Sequence, residues 1–402
     1  MKKKTYFKIL IILILILGVR FLMSLKDFNR DLVNHMVWTE SMFKEGLKGF
    51  YSRDYSPWAL ANYPPLANFL FLFSHKLYLW LNINWQGNNL LASFYKLPLL
   101  IADVIIAFCL FAIGKDSGNN KKGVLFALFF LVNLALAYNS VFWGQLESLL
   151  TMFCLLSLIF FYKKSKIFAF LFYALALLTK QSALFFLPIF LILVIKKTSL
   201  KEKIFGFSLM YFLTVFLFSF FIRKNYFISP FLFYFKTIGG QLHQYLASVN
   251  AFNFWFFLGL NKSTDIQIFL SLTYRLWSII LTGFFLTPVL ILFYFKSGFK
   301  RCLFATMLLS FAVFVFLTRM HERHLYSMFI FLIPFIDSFK KFLIYAAISV
   351  IHFLNLYLVW QEFLAEPSVK IVTIGRFLSL FTIIIFAYYY LSYFIKVSKK
   401  QL

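Results

Sequence analysis

Acidic residues are scarce in this 402-residue chain: 14 Asp and Glu stand against 40 Lys and Arg, for a formal net charge of +26. Such an excess can mark a nucleic-acid partner, but its placement argues otherwise. Lys2, Lys3, Lys4 and Lys8 flank the start, and pairs follow at Lys121–Lys122, Lys163–Lys164, Lys196–Lys197, Lys300–Arg301, Lys340–Lys341 and Lys399–Lys400. Basic pairs that punctuate alternate loops are the positive-inside signature of short cytoplasmic loops. Cysteine is equally sparse. Cys109, Cys154 and Cys302 lie in apolar runs without paired spacing, so neither a disulfide framework nor a zinc site is implied. No small-x-small cleavage site follows the apolar run at 5–25, which therefore reads as an uncleaved first span rather than a signal peptide. A β-barrel would need repeated alternating segments of about ten residues, and none is present. Nor is any internal repeat strong enough to invoke the inverted symmetry of transporters. No soluble domain fits between the apolar runs.

Apolar side chains fill the space these absences leave. Hydrophobic residues make up 62% of the chain and mean hydropathy is +0.83, far above a soluble domain. Apolar runs recur from end to end at about twenty residues each, the length of a membrane-crossing helix. The expected fold is all-α: a polytopic integral membrane protein, one integrated domain over 1–402. With the basic clusters taken as cytoplasmic markers, about 12 transmembrane helices are expected, with both termini cytoplasmic.

The first span, 6–25, leads to a large first extracytoplasmic loop at 26–66. Within it, 30–47 reads as a helix lying on the membrane surface, and Pro64–Pro65 ends it. An apolar helix at 66–83, interrupted by His75 and Lys76, is laid in the interface. Spans at 92–113, 124–139 and 143–162 follow. Between the basic clusters at 163–166 and 196–203 the chain must go out and return in about thirty residues, too few for two full crossings at about 1.5 Å per residue. The turn Thr179-Lys180-Gln181 should therefore sit below the outer surface, in a water-filled cavity. A span at 204–222, a second outer loop at 223–267, and spans at 268–295, 302–318, 325–336, 341–360 and 373–395 complete the chain.

Five of the fourteen carboxylates sit in the first loop: Asp27, Asp31, Glu40, Glu45 and Asp54. Asp31, His35 and Trp38 recur at helical spacing and would share one face. A glycosyl transfer that inverts the anomeric centre needs one carboxylate to accept the proton of the acceptor hydroxyl, and Asp31 is the first candidate, ahead of Asp27 and Asp54. The plain alternative is a solvated loop acid.

The other polar clusters that are not topological markers fall at 139–148, 179–181, 241–255 and 319–324, all on the outer side. Charges at membrane depth are expensive and mark function by default, so one extracytoplasmic site is expected. Trp143, Gly144, Gln145, Leu146 and Glu147 put an indole, an amide and a carboxylate at one helix start. That pattern suits sugar hydroxyls, and equally an interfacial anchor with an acid at a helix N-terminus. Lys180, midway through an apolar run, needs a phosphate or a counter-charge, for which Asp103 and Glu147 are the structural candidates. The cluster Arg319, His321, Glu322, Arg323 and His324 does not have the spacing of an HExxH zinc motif. Two arginines with a histidine suit a phosphate whose charge rises as a sugar leaves; a snorkelling helix end is the alternative.

Taken in order, these residues resemble the GT-C superfamily of polyprenyl-phosphate-sugar-dependent glycosyltransferases. The nearest likeness is to the endoplasmic-reticulum enzymes that add glucose to the dolichol-linked N-glycan precursor, and to prokaryotic proteins related to the second GPI mannosyltransferase. Asp31 with Trp38-Thr39-Glu40 resembles the first-loop segment around the catalytic aspartate of that family. Tyr63-Pro64-Pro65-Leu66 is similar to its YPPL. Asp103 is similar to an acid in the following span, Lys180-Gln181 to a K-Q turn, Asn253-Phe254-Trp255 to an N-x-W segment, and His321-Glu322-Arg323 to an H-E-K or H-E-R element. The matches span about residues 25–330. Two departures bear on the sugar: Trp143-Gly144-Gln145 stands where the endoplasmic-reticulum enzymes carry histidines, and Arg323 where they carry lysine.

The resemblance implies an inverting, metal-independent hexosyltransferase with no cofactor, moving mannose or glucose from a polyprenyl-phosphate donor to a glycan or lipid acceptor. Asp31 is the implied base; Arg319, His321, Arg323 and Lys180 would hold the donor phosphate. Trp38, Glu40, Tyr63, Gln145, Glu147, Gln181 and Glu322 would contact sugar or acceptor. The expected setting is a plasma membrane, with the active site facing its extracytoplasmic side. The rival reading is a transporter or flippase of a lipid-linked saccharide, which should show polar sites near mid-membrane.

Overall fold

Hydrocarbon offers backbone amides no partner except one another, so an apolar chain of this kind folds as helices. Seventeen α-helices run through the described residues of the computed structural model, which are 3–26, 30–81, 88–239, 245–362 and 369–399. In chain order they begin with α1 (Lys3–Ser24), α2 (Arg30–Glu45), α3 (Pro65–Trp80), α4 (Asn88–Asp116), α5 (Asn120–Leu131) and α6 (Leu134–Ala137). Next come α7 (Glu147–Phe161), α8 (Ile167–Thr179), α9 (Leu187–Lys197), α10 (Leu200–Ser219), α11 (Ser229–Gly239) and α12 (Phe254–Phe257). The last are α13 (Tyr274–Phe295), α14 (Phe299–Phe316), α15 (Tyr326–Leu332), α16 (Phe339–Glu362) and α17 (Val369–Ser398). Strand among the described residues is limited to β1 (Ser248–Val249), β2 (Ile268–Phe269), β3 (Leu272–Thr273) and β4 (Met320–His321).

An all-α, multi-pass membrane architecture follows, but not the expected dozen crossings. Among the described residues six helices are long and apolar enough to cross a membrane, within α4, α10, α13, α14, α16 and α17, or seven if the bent pair Asn120–Leu131 and Leu134–Phe142 counts as one. The expected crossings at 143–162 and around the 179–181 turn are shorter: α7, α8 and α9 have 15, 13 and 11 residues. At about 1.5 Å per residue none reaches the roughly 30 Å of a hydrocarbon core. Basic clusters show where loops sit. They carry no information on whether the arm between two clusters is one straight helix. The apolar helix expected at 66–83 is α3, with 16 residues, also below spanning length.

The chain divides into two compact units, one of Met1–Met152, Ala174–Gln181 and Tyr211–Phe235, the other of Phe153–Tyr173, Ser182–Met210 and Lys236–Leu402. In the first unit α4 and α5 form a tight hairpin. A Cβ on Gly114 would lie 2.7 Å from the Gly123 Cα, and one on Gly123 would lie 2.6 Å from the Phe111 carbonyl oxygen, so only glycine permits this approach. Asn119 starts α5 by accepting from the Lys122 amide, as an N-cap should. The bend of 54° after Leu131 strips carbonyls of their helical partners. Arg20 of α1 meets them, donating to Leu131 O at 3.0 Å and, beside the Asn133 amide, to Phe130 O at 3.2 Å, while its charge is met by Asp103. Ser140 completes the group with a 2.6 Å bond to the same carboxylate. A break at membrane depth is tolerated because its orphan groups are satisfied in this way.

From Arg30 onward the first loop is folded rather than solvated. Arg53 donates to the carbonyls of Ser41 at 3.1 Å and Gly46 at 2.7 Å, a cation closing the C-terminal end of α2. Tyr51 packs against Phe218, Phe221 and Phe233, and the Gly49 amide bonds the Phe221 carbonyl.

In the second unit α14 is the central rod. Its membrane-length window is 89% buried, and a helix apolar all round must be enclosed by others. Its C-terminal carbonyls are taken by the short α12 region: Trp255 Nε1 donates to Phe316 O at 2.7 Å and Asn253 Nδ2 to Phe314 O at 3.2 Å. β1 pairs in parallel with β4, which ties the 248–253 segment to the polar cluster that follows α14.

Candidate functional site

Two polar clusters stand out, one in each unit. The first is built around the start of α2. Asp31 occupies the first turn of that helix, where the dipole favours an anion, and its Oδ2 accepts from Gln145 Nε2 at 2.7 Å. Gln145 lies just past Gly144, whose φ of +80° is the left-handed conformation that glycine adopts freely. Broken helix therefore delivers the amide. The Gln145 Oε1 atom is buried and has no hydrogen-bond partner among the described residues, and the same is true of Gln181 Oε1.

One turn beyond Asp31, His35 is buried in an aromatic stack, 4.5 Å from the Phe71 ring and 4.9 Å from Tyr63. Trp38 shares that face and is also buried, with its indole N–H donated to the Ala59 carbonyl at 2.8 Å. Glu40 points the other way: it is exposed and pairs with Lys44 one turn on, at 2.8 Å. Nearby, His75 Nδ1 and the Tyr95 hydroxyl are 3.0 Å apart. Burial lowers the His75 pKa below its ordinary 6.5, against an opposing pull from the Glu40 charge.

Lys180 forms a buried ion pair with Glu147, so of its two candidate counter-charges the chain uses Glu147 and leaves Asp103 to Arg20. The ammonium also lies 5.7 Å from the centre of the Tyr63 ring. Asp31, Tyr63, Gln145, Glu147, Lys180 and Gln181 all belong to this first unit.

The second cluster follows α14. Arg319 has φ of +62°, a conformation that costs a non-glycine residue about 1 kcal/mol or more. It is held there by a 3.0 Å bond from its amide to Leu246 O and by its Nε on buried Asp265 at 2.7 Å. Its guanidinium also lies over the Tyr245 ring at 4.7 Å. The His321 amide donates to His324 Nδ1 at 3.2 Å, which leaves the proton of neutral His324 on Nε2. Arg323 pairs with buried Glu322 at 3.0 Å. Among the described residues no three His, Cys, Asp or Glu side chains gather as a metal-binding group. Asp27, the weaker candidate base, lies outside the described residues, as does 241–244 of the second outer loop.

Three residues of these clusters were not expected. Arg20 and Lys96 are single cations inside apolar runs, a signal available from hydropathy alone. Lys96 is fully buried and donates to Ser24 O at 3.2 Å, Lys26 O at 2.6 Å and Phe142 O at 2.7 Å. It thereby ties the entry to α2 to the turn that carries Gln145. Asp265, an acid in an acid-poor chain, was the third. No family model matches the chain, and no curated protein matches its sequence.

Proposed function

We propose that the chain is a membrane glycosyltransferase. It moves a hexose, mannose or glucose, from a polyprenyl-phosphate carrier to a glycan or lipid acceptor at the extracytoplasmic face of the plasma membrane, with inversion at the anomeric carbon. The observation that carries this reading is the Asp31–Gln145 contact. A carboxylate expected to act as a base is held by an amide from a distant segment, within a unit that also holds Tyr63, Glu147, Lys180 and Gln181.

In the proposed reaction the Asp31 carboxylate takes the proton of the acceptor hydroxyl as that oxygen attacks the anomeric carbon. The bond from that carbon to the phosphate oxygen breaks on the opposite face, and the polyprenyl phosphate leaves with one more negative charge. Lys180, in the same unit as Asp31, is assigned to that growing charge. Gln145, Gln181, Tyr63, Trp38 and Glu147, all of the first unit, are assigned to sugar and acceptor contacts, whereas Glu40, on the opposite face of α2 and paired with Lys44, is left out. The two unspent amide oxygens of Gln145 and Gln181 suit hydroxyl donors.

The test is to incubate purified protein with a panel of polyprenyl-phosphate sugars and membrane lipid acceptors, beside Asp31→Asn and Asp31→Ala. Transfer by the natural chain and none by either variant, with both variants folded and inserted, is the expected result. Normal turnover in Asp31→Asn removes the base. Movement of a lipid-linked saccharide across the bilayer without any transfer replaces the enzyme with a flippase.

A further inference from the structure

We propose that the ends of α14, α16 and α17 that meet in the second unit bind the phosphodiester headgroup of an anionic phospholipid. This site does not depend on the glycosyl-transfer reading. It lies at the other end of α14 from the 319–324 cluster, about 27 Å of helix away.

Five basic side chains gather there. Lys300 and Arg301 open α14, Lys340 and Lys341 open α16, and Lys396 lies in the last turn of α17. Solvated lysines spread apart to lower their repulsion. Here Lys396 stays within range of the like charges of Lys341 and Lys300, with its ammonium 5.4 Å from the Phe304 ring centre and 5.7 Å from that of Phe335. Lys340 in turn lies 5.8 Å from the Tyr388 ring. Asp337, paired with Lys341, is the one acid described among them. The N-termini of α14 and α16 add partial positive charge at the same end, offset in part by the C-terminus of α17.

A second observation comes from the apolar side, at the residue next to the Tyr388 ring that Lys340 faces. The Tyr389 hydroxyl is buried, its residue 2% exposed, and it has no hydrogen-bond partner among the described residues. It nevertheless lies within range of the Asp337 charge. A buried hydroxyl left unsatisfied is costly, and a bound headgroup can supply the missing acceptor. Cations at three span ends beside aromatic rings match a phosphodiester whose acyl chains continue along the helices. Anionic lipids of the cytoplasmic leaflet attract basic groups of this kind, as basic pockets between membrane helices do. The abundance of lysine at this end agrees with a cytoplasmic placement.

Purified protein is titrated separately with phosphatidylglycerol, phosphatidylcholine and inorganic phosphate, and the bound adducts are read by native mass spectrometry. Phosphatidylglycerol should be retained at least about tenfold better than phosphatidylcholine, and Lys341→Gln and Lys396→Gln should each weaken it about fivefold. Lys203→Gln, which removes a cation from the start of α10, should change nothing. Tyr389→Phe removes only the hydroxyl and keeps the packing, so it decides the matter if the lysine variants fail to fold. It should weaken phosphatidylglycerol about threefold and leave phosphatidylcholine unaffected. Equal retention of the two lipids overturns the proposal, as does an equal loss in Lys203→Gln. Inorganic phosphate that binds as tightly and displaces the lipid makes this a free-phosphate site and also overturns it.

Discussion

The side-chain amide of Gln145 donates to the carboxylate of Asp31 at 2.7 Å, across 114 residues of sequence. A base works only if its oxygen is presented in one orientation, and this bond restrains the rotation of the Asp31 side chain. The donor sits just past a left-handed glycine that follows the π-helical turn Tyr138–Phe142, so the geometry depends on a break in the helix rather than on regular structure.

Gln145→Met separates that role from folding. The substitution keeps length and volume and removes both polar atoms, one of which, Oε1, is buried with no partner among the described residues. Removing that oxygen costs little, and losing the bond from Nε2 to the partly buried Asp31 carboxylate should lower stability by about 1 to 2 kcal/mol. Transfer activity should fall about 10- to 100-fold in kcat, as expected when a reacting group loses its alignment, with a smaller rise in KM from the loss of the Oε1 acceptor. Steady-state kinetics and a thermal melt on the same preparation check this. Activity at the natural level would mean that the hydrogen bond does not serve the reaction.

The Lys180–Glu147 pair makes a different prediction. Both side chains are almost fully buried, at 5% and 4% exposure, and removing one partner leaves the other as an uncompensated charge. Lys180→Met or Glu147→Leu alone should lower stability by about 3 kcal/mol, whereas the double variant should recover most of that loss. Transfer activity should stay low in all three variants if the pair also serves the substrate. A thermal-shift series in one detergent, analysed as a double-mutant cycle, gives the coupling.

What could be read from the chain beforehand follows from how local each signal is. Apolar runs announced helices, and Asp31, His35 and Trp38 at spacings of four and three predicted the shared face of α2. Pro65 at the first turn of α3 and the turn at Lys180 were likewise local. Glu40, nine residues after Asp31, falls half a turn away from it by helical periodicity, in keeping with its exposed pairing to Lys44.

The number of crossings was only partly local. The shortfall from a dozen lies mainly in α7, α8 and α9, which are too short to cross, while the bend after Leu131 decides between six and seven and is marked locally by Asn133, whose side chain caps α6 at the Leu136 amide. What makes the bend tolerable is Arg20, over a hundred residues earlier, donating to the carbonyls of Phe130 and Leu131. Arg319 and Asp265 find each other across 54 residues, and a residue in the left-handed region carries no mark of it in sequence unless it is glycine or asparagine. Trp38 shows the same limit on a smaller scale, because periodicity places the ring but cannot show that its N–H is committed to Ala59.

His75 gives the fold a pH dependence whose sign can be worked out. Burial holds its folded pKa below the ordinary 6.5, so the folded protein favours the neutral ring more than the unfolded chain does. This contribution is fully present above pH 6.5 and is lost as pH falls through that value toward the folded pKa. The melting temperature should decline over that window, and His75→Gln, which cannot protonate, should flatten this part of the curve. An unchanged slope in the variant would assign the decline to another group.

Lys96 offers the sharpest test of how the first unit is assembled. Its ammonium is fully buried, yet it donates to three backbone carbonyls, those of Ser24, Lys26 and Phe142. Two of these carbonyls lie at the C-terminal end of α1, just before the Asp31 helix, and the third lies three residues before Gln145. The cation thus links the two segments whose side chains meet at the base. Lys96→Met fills the same volume with an apolar chain and strands all three acceptors, so stability should drop by about 2 kcal/mol or more. Lys96→Arg keeps the charge but not the compact ammonium, and should restore part of the stability while leaving transfer impaired. Hydrogen exchange supplies the readout that separates the two roles. In Lys96→Met, amides at 30–34 and 143–147 should exchange faster together while those of α14 remain protected. Uniform loss of protection through both units would instead make Lys96 a general structural support with no special tie to the base.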